Sequence, residues 1–167
     1  MGLRWCDVDF EAAVLRVRQQ LSRHRTPKHL KTEAGRRDVV LAPAVTRLLR
    51  ARWLASGYKA GDQLVFCKGN GEGGDYRDAG KAFRAAVKAA DLHGEGRLSL
   101  HSLRHAFASL LIAKKLNVVF VSRQLGHASP TITLDVYAHL FEQADHAVAA
   151  REALEASYTA MVSGTGR

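Results

Sequence analysis

Cysteine is almost absent from this chain. Cys6 and Cys67 are the only two among 167 residues, too few for the disulfide framework of a small secreted domain or for a four-cysteine zinc site. No apolar run approaches the roughly 20 residues that a helix needs to cross a bilayer. The first ten residues, MGLRWCDVDF, lack the charged-then-apolar layout of a secretion signal. Gly2 is present, but position 6 is Cys rather than Ser or Thr, which argues against N-myristoylation. There is no Walker-type Lys-Ser/Thr, so nucleotide hydrolysis has no support. Internal repeats and a domain-sized linker are missing as well. These absences leave a soluble, cytosolic single domain.

Negative charge is the other shortage. Asp plus Glu number 16 against 25 Lys plus Arg, a formal charge of +9. Hydrophobic residues at 47% and charged residues at 25% are ordinary for a globular domain. The excess is uneven, with 11 basic and 5 acidic residues in positions 1–50. Most of it lies in Arg16, Arg18, Arg23, Arg25, Lys28, Lys31, Arg36 and Arg37, opposed within that stretch by Glu33 alone. Clustered Lys and Arg displace counterions from nucleic acid and bind it in a salt-dependent way. Aromatics are sparse nearby, which speaks against a base-stacking platform for single strands. A solvated basic loop is the plainer alternative.

Periodicity gives a coarse layout. Residues 7–10 and 14–17 read as short strands around Glu11-Ala12-Ala13. A second hairpin is expected from residues 29–32 and 37–41, with Ala34-Gly35 between. Residues 43–56 space Val45, Leu48, Leu49 and Leu54 helically and stop at Gly57. Another strand is expected at 63–67, and a helix at 76–92 with Phe83, Val87 and Ala90 on one face. The remainder is mainly helical. Residues 101–116 carry Leu103, Phe107, Leu110 and Leu111 and end at Asn117, read as a C-terminal cap. A shorter helix at 118–125 stops at Gly126; the next starts at Pro130 and runs to about His139. A terminal helix is expected at 141–161. The fold class is α+β, mainly helical, with a small antiparallel sheet near the N-terminus.

Two patterns imitate known sites. Gly69, Gly71 and Gly74 satisfy G-x-G-x-x-G after a strand and before a helix, but no buried strand follows Leu92 to complete a dinucleotide-binding unit. A flexible hairpin loop is the better reading. His101 and His105 have the four-residue spacing of zinc ligands, yet Ser102-Leu103-Arg104 between them supplies no glutamate base and adds a repelling cation.

A third pattern is more specific: His101-Ser102-Leu103-Arg104-His105, then Leu125-Gly126-His127, then Tyr137-Ala138-His139. In this order, and after a basic segment carrying Lys31, these blocks resemble the tyrosine recombinase, or phage integrase, family. LRWCDVD at residues 3–9, KTEAGRRDVVL at 31–41, HSLRHAFASLL at 101–111 and LGHASPTITLDVYAHL at 125–140 carry the resemblance over nearly the whole chain. It implies a recombinase catalytic-domain fold and site-specific cleavage of double-stranded DNA without metal, ATP or other cofactor. Tyr137 matches the nucleophile that forms a 3′-phosphotyrosyl link. Arg104 matches the guanidinium on the non-bridging oxygens, His101 the helper acid/base, His127 the phosphate hydrogen-bond donor and Lys31 the acid for the leaving 5′ oxygen. Arg16, Arg18, Arg23, Arg25, Lys28, Arg36, Arg37 and Arg123 are the expected DNA contacts. His105 and His139 match no catalytic position and read as structural or backbone-contacting. Self-association on DNA as a tetramer, through the C-terminal helix, and a cytoplasmic, DNA-associated location follow from the same resemblance.

The family's first catalytic arginine lies upstream of the Leu-Arg-Trp segment, in an Arg-x-Gly-Glu context on a preceding helix. The chain starts at Met1, so the expectation is a catalytic domain over residues 1–162 without that helix and arginine, and a disordered tail at 163–167. Arg4 matches the residue before the Trp, not the catalytic arginine. An arginine stabilising a phosphoryl-transfer transition state is worth on the order of 10³–10⁵ in rate. The alternative expectation is therefore a DNA-binding remnant with weak or no cleavage.

Overall fold

The structure, a computed structural model, describes residues 2–22, 24–92, 98–142 and 151–156. A 3-10 turn at Trp5–Asp7 leads into β1 (Val8–Asp9), β2 (Val14–Val17), β3 (Gln19–Leu21) and β4 (Pro27–His29). A second 3-10 turn, Glu33–Gly35, precedes β5 (Arg37–Val40). Five helices follow: α1 (Pro43–Ala55), α2 (Tyr76–Ala89), α3 (Leu100–Ala113), α4 (Val118–Leu125) and α5 (Pro130–Glu142).

The turn between β1 and β2 forms where expected. Asp9 Oδ1 accepts from the Glu11 and Ala12 amides at 3.1 and 2.9 Å, and Ala13 takes φ +52° to finish it. The Ala12 amide above all, then Arg16, holds the Asp9 carboxyl below the usual carboxylate range. The second hairpin is corrected. β5 pairs with β2, in the order β1-β2-β5, while β4 pairs with β3 in a separate two-stranded sheet. The link from 30 to 36 is a bend and a 3-10 turn capped by Thr32, whose Oγ1 accepts from the Gly35 amide at 3.2 Å. It cannot serve as a tight hairpin. β5 instead sets Val39 and Val40 against Leu15 and Val14 of β2.

Residues 63–67 do not form a regular strand either. They make isolated bridges, Arg4↔Leu64 and Cys67↔Gly73, and bury Val65 at 1% exposure. The glycine-rich stretch beyond is a packed turn rather than a loose one. Gly71 sits at φ +82°, where a Cβ would come within 2.8 Å of the Tyr58 ring, and the Tyr58 hydroxyl donates to the Gly69 carbonyl at 2.8 Å.

Helix boundaries hold better than helix faces. On α1 Leu49 is buried, but Leu48 and Leu54 are 70% and 61% exposed. On α3 the buried residues are Ala108 and Ile112, packed by Phe107 and Leu111, whereas Leu103 and Leu110 face outward. Asn117 is corrected from a C-cap to the N-cap of α4: its Oδ1 accepts from the Phe120 amide at 2.9 Å. α3 is closed instead by Lys115 in the left-handed region at φ +59°. α5 extends past His139 to Glu142. Residues 151–156 are helical; the rest of the expected terminal helix beyond 142, and the tail at 163–167, lie outside the described residues. No helix among the described residues is long and apolar enough to cross a membrane.

Two cores result. One joins Trp5, Val8, Leu49 and Val65 under the three-stranded sheet. The other joins Ala108, Ile112, Val121, Leu125 and Tyr137 between α3, α4 and α5. Gln124, buried at 6%, ties the helical part to the sheet. Its side chain accepts from the Val40 amide at 2.9 Å and donates to the Asp38 carbonyl at 3.0 Å.

Candidate active site

The helical core and the β5 edge meet at one cluster of polar side chains. Tyr137 points its ring into the core and is 4% exposed. Its hydroxyl lies 2.7 Å from His105 Nδ1. His101, one turn earlier on α3, stands edge-on to His105 with ring centroids 4.9 Å apart. His127 follows Gly126, the left-handed C-cap of α4. Its Nδ1 is 2.8 Å from the Oγ1 of Thr133, which is fully buried.

Arg104 is the electrostatic centre. It is half-buried and has no hydrogen bond or ion pair to any described residue, yet its charge acts on Tyr137, His127 and Arg37. Burial pushes the Tyr137 phenol above its usual range, and Arg104 pulls it partly back. Burial, Arg104 and then Arg37 push His127 below its usual range. Arg37 is lowered by burial first and by Arg104 second. Burial disfavours the charged form of a base, and a neighbouring cation adds to the penalty. Two guanidiniums and an imidazole thus share one place with no paired carboxylate among the described residues, an arrangement suited to an anion.

Arg37 reaches this place because its Nε and Nη1 donate to the carbonyls of Gln124 and Gly35, both at 3.1 Å. Gly126 makes room for it. A Cβ there would lie 2.8 Å from Arg37 Nη1, 2.9 Å from Arg37 Cδ and 3.1 Å from the Ala34 carbonyl oxygen, at φ +72°. Gly126→Ala should therefore cost about 2–3 kcal/mol: about 1–2 for the left-handed backbone and the rest for displacing a tethered arginine. Thermal unfolding should show a midpoint lower by roughly 4–12 °C; an unchanged midpoint would mean that Arg37 is free to move.

A cleft of about 810 Å³ opens beside the cluster, lined by Arg18, Arg36, Arg37, Arg123, His127 and Pro130. It gathers four of the expected DNA contacts. The others fare differently. Arg16 pairs with Asp9, and Arg25 with Glu72 and Asp75 at 3.7 and 3.5 Å, while within the cleft Arg18 pairs with Asp38. Lys28 is exposed on β4, and Arg23 lies outside the described residues. Lys31 is exposed on the bend after β4 and makes no hydrogen bond or ion pair with the Tyr137 cluster. His139, in the last turn of α5, is not among the side chains at the cluster.

His105, expected as a structural or backbone-contacting residue, shares one face of α3 with His101 and meets the Tyr137 hydroxyl. A stripe of exposed cations on α2, Arg77, Lys81, Arg84 and Lys88, was readable from its four-three-four spacing.

The family model described as the phage integrase family matches residues 1–144. The chain belongs to the phage integrase family. Among curated members, it is 27% identical over 160 residues to a XerC-like tyrosine recombinase of Caldanaerobacter subterraneus subsp. tengcongensis, covering 84% of this chain and 41% of that protein. The prophage integrase IntR of Escherichia coli K12 is 26% identical over 160 residues, covering 81% and 38%. The chain thus spans about two-fifths of the length of these integrase relatives. Among solved structures, the Tn1549 transposon integrase in complex with circular intermediate DNA superposes with a TM-score of 0.70 at 29% identity, covering 92% of this chain and 53% of that one. The XerA recombinase matches the fold at a TM-score of 0.62 and 22% identity. The mainly helical domain with a small antiparallel sheet is therefore the catalytic-domain fold of the tyrosine recombinases.

Proposed function

We propose that this chain is the strand-cleaving part of a site-specific DNA recombinase, with Tyr137 as nucleophile. The observation that carries this reading is the half-buried Arg104, unpaired among the described residues, which acts electrostatically on a core-anchored tyrosine, a histidine and a second arginine. A phosphodiester supplies the single negative charge that such a cluster lacks, and a guanidinium fork fits its non-bridging oxygens better than an ammonium does. Tyr137 Oη attacks phosphorus, the bond to the 5′ oxygen breaks, and a 3′-phosphotyrosyl ester remains. That ester keeps the bond energy, so a 5′ hydroxyl of the same or another duplex reverses the step without ATP. Arg104 and His127 stabilise the charge on the phosphorane, a contribution that fixed donors make most effectively in a partly desolvated site. His101 assists proton movement, and Lys31, swung in from its exposed bend, protonates the leaving 5′ oxygen. Arg36, Arg37 and Arg123 along the cleft, with the α2 stripe beyond, contact backbone phosphates. DNA complexes are known for the Tn1549 integrase, and duplex DNA is the partner proposed here. The helical residues 151–156, with Leu154 71% exposed, contribute to self-association on DNA.

The test is a covalent adduct. The full chain is incubated with nicked duplexes from a randomised pool, denatured in SDS and digested with trypsin. A nucleotide remnant on the peptide spanning residues 124–151, whose only tyrosine is Tyr137, is the expected result. Salt-sensitive duplex binding with no adduct would instead favour a DNA-binding protein without cleavage.

A further inference from the structure

The hydroxyl that attacks in this reading is already engaged. Tyr137 Oη and His105 Nδ1 are 2.7 Å apart, with ring centroids 5.7 Å apart and planes inclined at 56°. Tyr137 is 4% exposed, whereas His105 is an exposed residue on α3. The hydrogen bond therefore joins the one polar atom of a core ring to an imidazole in contact with water. Such an imidazole can take a proton and pass it on to solvent.

The other candidates for this role are placed less well. His101 touches the ring of His105, not the phenol. His127 has its Nδ1 committed to Thr133. Arg104 has no lone pair to accept a proton. Among the described residues, the charged and titratable groups facing the pair are His101 and Arg104 on α3, with His127, in the turn after α4, near Arg104. No carboxylate among the described residues hydrogen-bonds to His105.

We propose that His105 is the proton acceptor for Tyr137. As Tyr137 Oη bonds to phosphorus and the bond from phosphorus to the 5′ oxygen breaks, the phenolic proton passes to His105 Nδ1. The departing 5′ oxygen takes its proton from Lys31, so charge and protons balance. In the tautomer that accepts at Nδ1, the His105 proton sits on Nε2, and the residue is exposed to solvent for exchange. The inference rests on Tyr137 being the nucleophile.

Two readouts separate the two claims. The first needs no DNA: the full chain is labelled with 13C at tyrosine Cζ, and the Tyr137 signal is assigned by its loss in Tyr137→Phe. The Tyr137 signal should shift as the histidines titrate. His105→Asn, which keeps an amide near the Nδ1 position but cannot ionise, should remove that shift, while His101→Gln should keep it. The second readout is the initial rate of adduct formation, which should fall on the order of 10²-fold in His105→Asn with duplex affinity unchanged. A Tyr137 signal indifferent to His105, or an adduct rate equal to wild type in His105→Asn, overturns the proposal. A wild-type chain that forms no adduct at Tyr137 overturns the nucleophile reading instead, and the tyrosine titration then decides alone whether His105 shares the phenolic proton.

Discussion

Tyr137→Phe is expected to abolish the covalent adduct altogether while leaving duplex affinity within about two-fold, because affinity is carried by phosphate contacts rather than by the nucleophile. The phenylalanine ring keeps the volume that Tyr137 contributes among Ala108, Ile112, Val121 and Leu125. The fold loses one hydrogen bond, worth about 0.5–1.5 kcal/mol, and exposed His105 can replace it with water. Tyr137→Ala would be less informative, since emptying an aromatic core site costs about 3–5 kcal/mol. The other tyrosines among the described residues are engaged or placed elsewhere: the Tyr58 hydroxyl is bonded to Gly69, and Tyr76 is 71% exposed at the start of α2. Adduct gels and fluorescence anisotropy on the same samples check both halves. An adduct that survives in Tyr137→Phe would put the nucleophile elsewhere.

Arg104→Ala should slow adduct formation by about 10³–10⁵, or about 4–7 kcal/mol of transition-state stabilisation. Arg104→Lys should recover only part, because an ammonium restores the charge without the two-pronged hydrogen bonding. The substitution also has a signature that requires no DNA. Arg104 depresses His127, so its removal should raise the His127 titration midpoint toward the ordinary histidine value, while Tyr137, which Arg104 lowers, should move higher still. The sign for stability follows. A histidine depressed in the folded state contributes stability above its unfolded pKa and loses it as pH falls through the depressed value. Arg104→Ala should therefore soften the acid sensitivity that His127 confers. Histidine NMR titration and unfolding below pH 6.5 measure the two effects, and an unmoved His127 midpoint would mean that Arg104 does not act on it.

The motif residues could be singled out by type and order, and His101, Arg104, His127 and Tyr137 lie in one place in the fold, whereas Lys31 stays on its exposed bend. Their partners were not legible. His105 meets a tyrosine 32 positions downstream, and its only local cue, the spacing from His101, mimicked a metal site. Arg36 and Arg37 look equivalent in sequence, but Arg36 closes the 3-10 turn whereas Arg37 opens β5 and is held on the carbonyls of Gln124 and Gly35. The basic run overstated the free charge for a related reason, since Asp9, Asp38, Glu72 and Asp75 neutralise Arg16, Arg18 and Arg25 from other segments. Gln19-Gln20-Leu21 has no alternation to mark β3, and its partner β4 is supplied by a register that only the folded chain reveals.

The Tyr137 ring, wedged between three helices, has a bearing on whose DNA the proposed reaction would cut. Burying an aromatic side chain is worth about 1.5–3 kcal/mol, and Tyr137 would forfeit this, together with the packing of α4 against α5, if its helix segment swung out to a neighbouring protomer. An enzyme that lends its nucleophile carries it on a detachable arm; the Tyr137 ring is instead mortared into the wall. In the proposed reaction the duplex therefore comes to Tyr137, and cleavage is expected on the strand held by the same protomer that supplies Arg104 and His127.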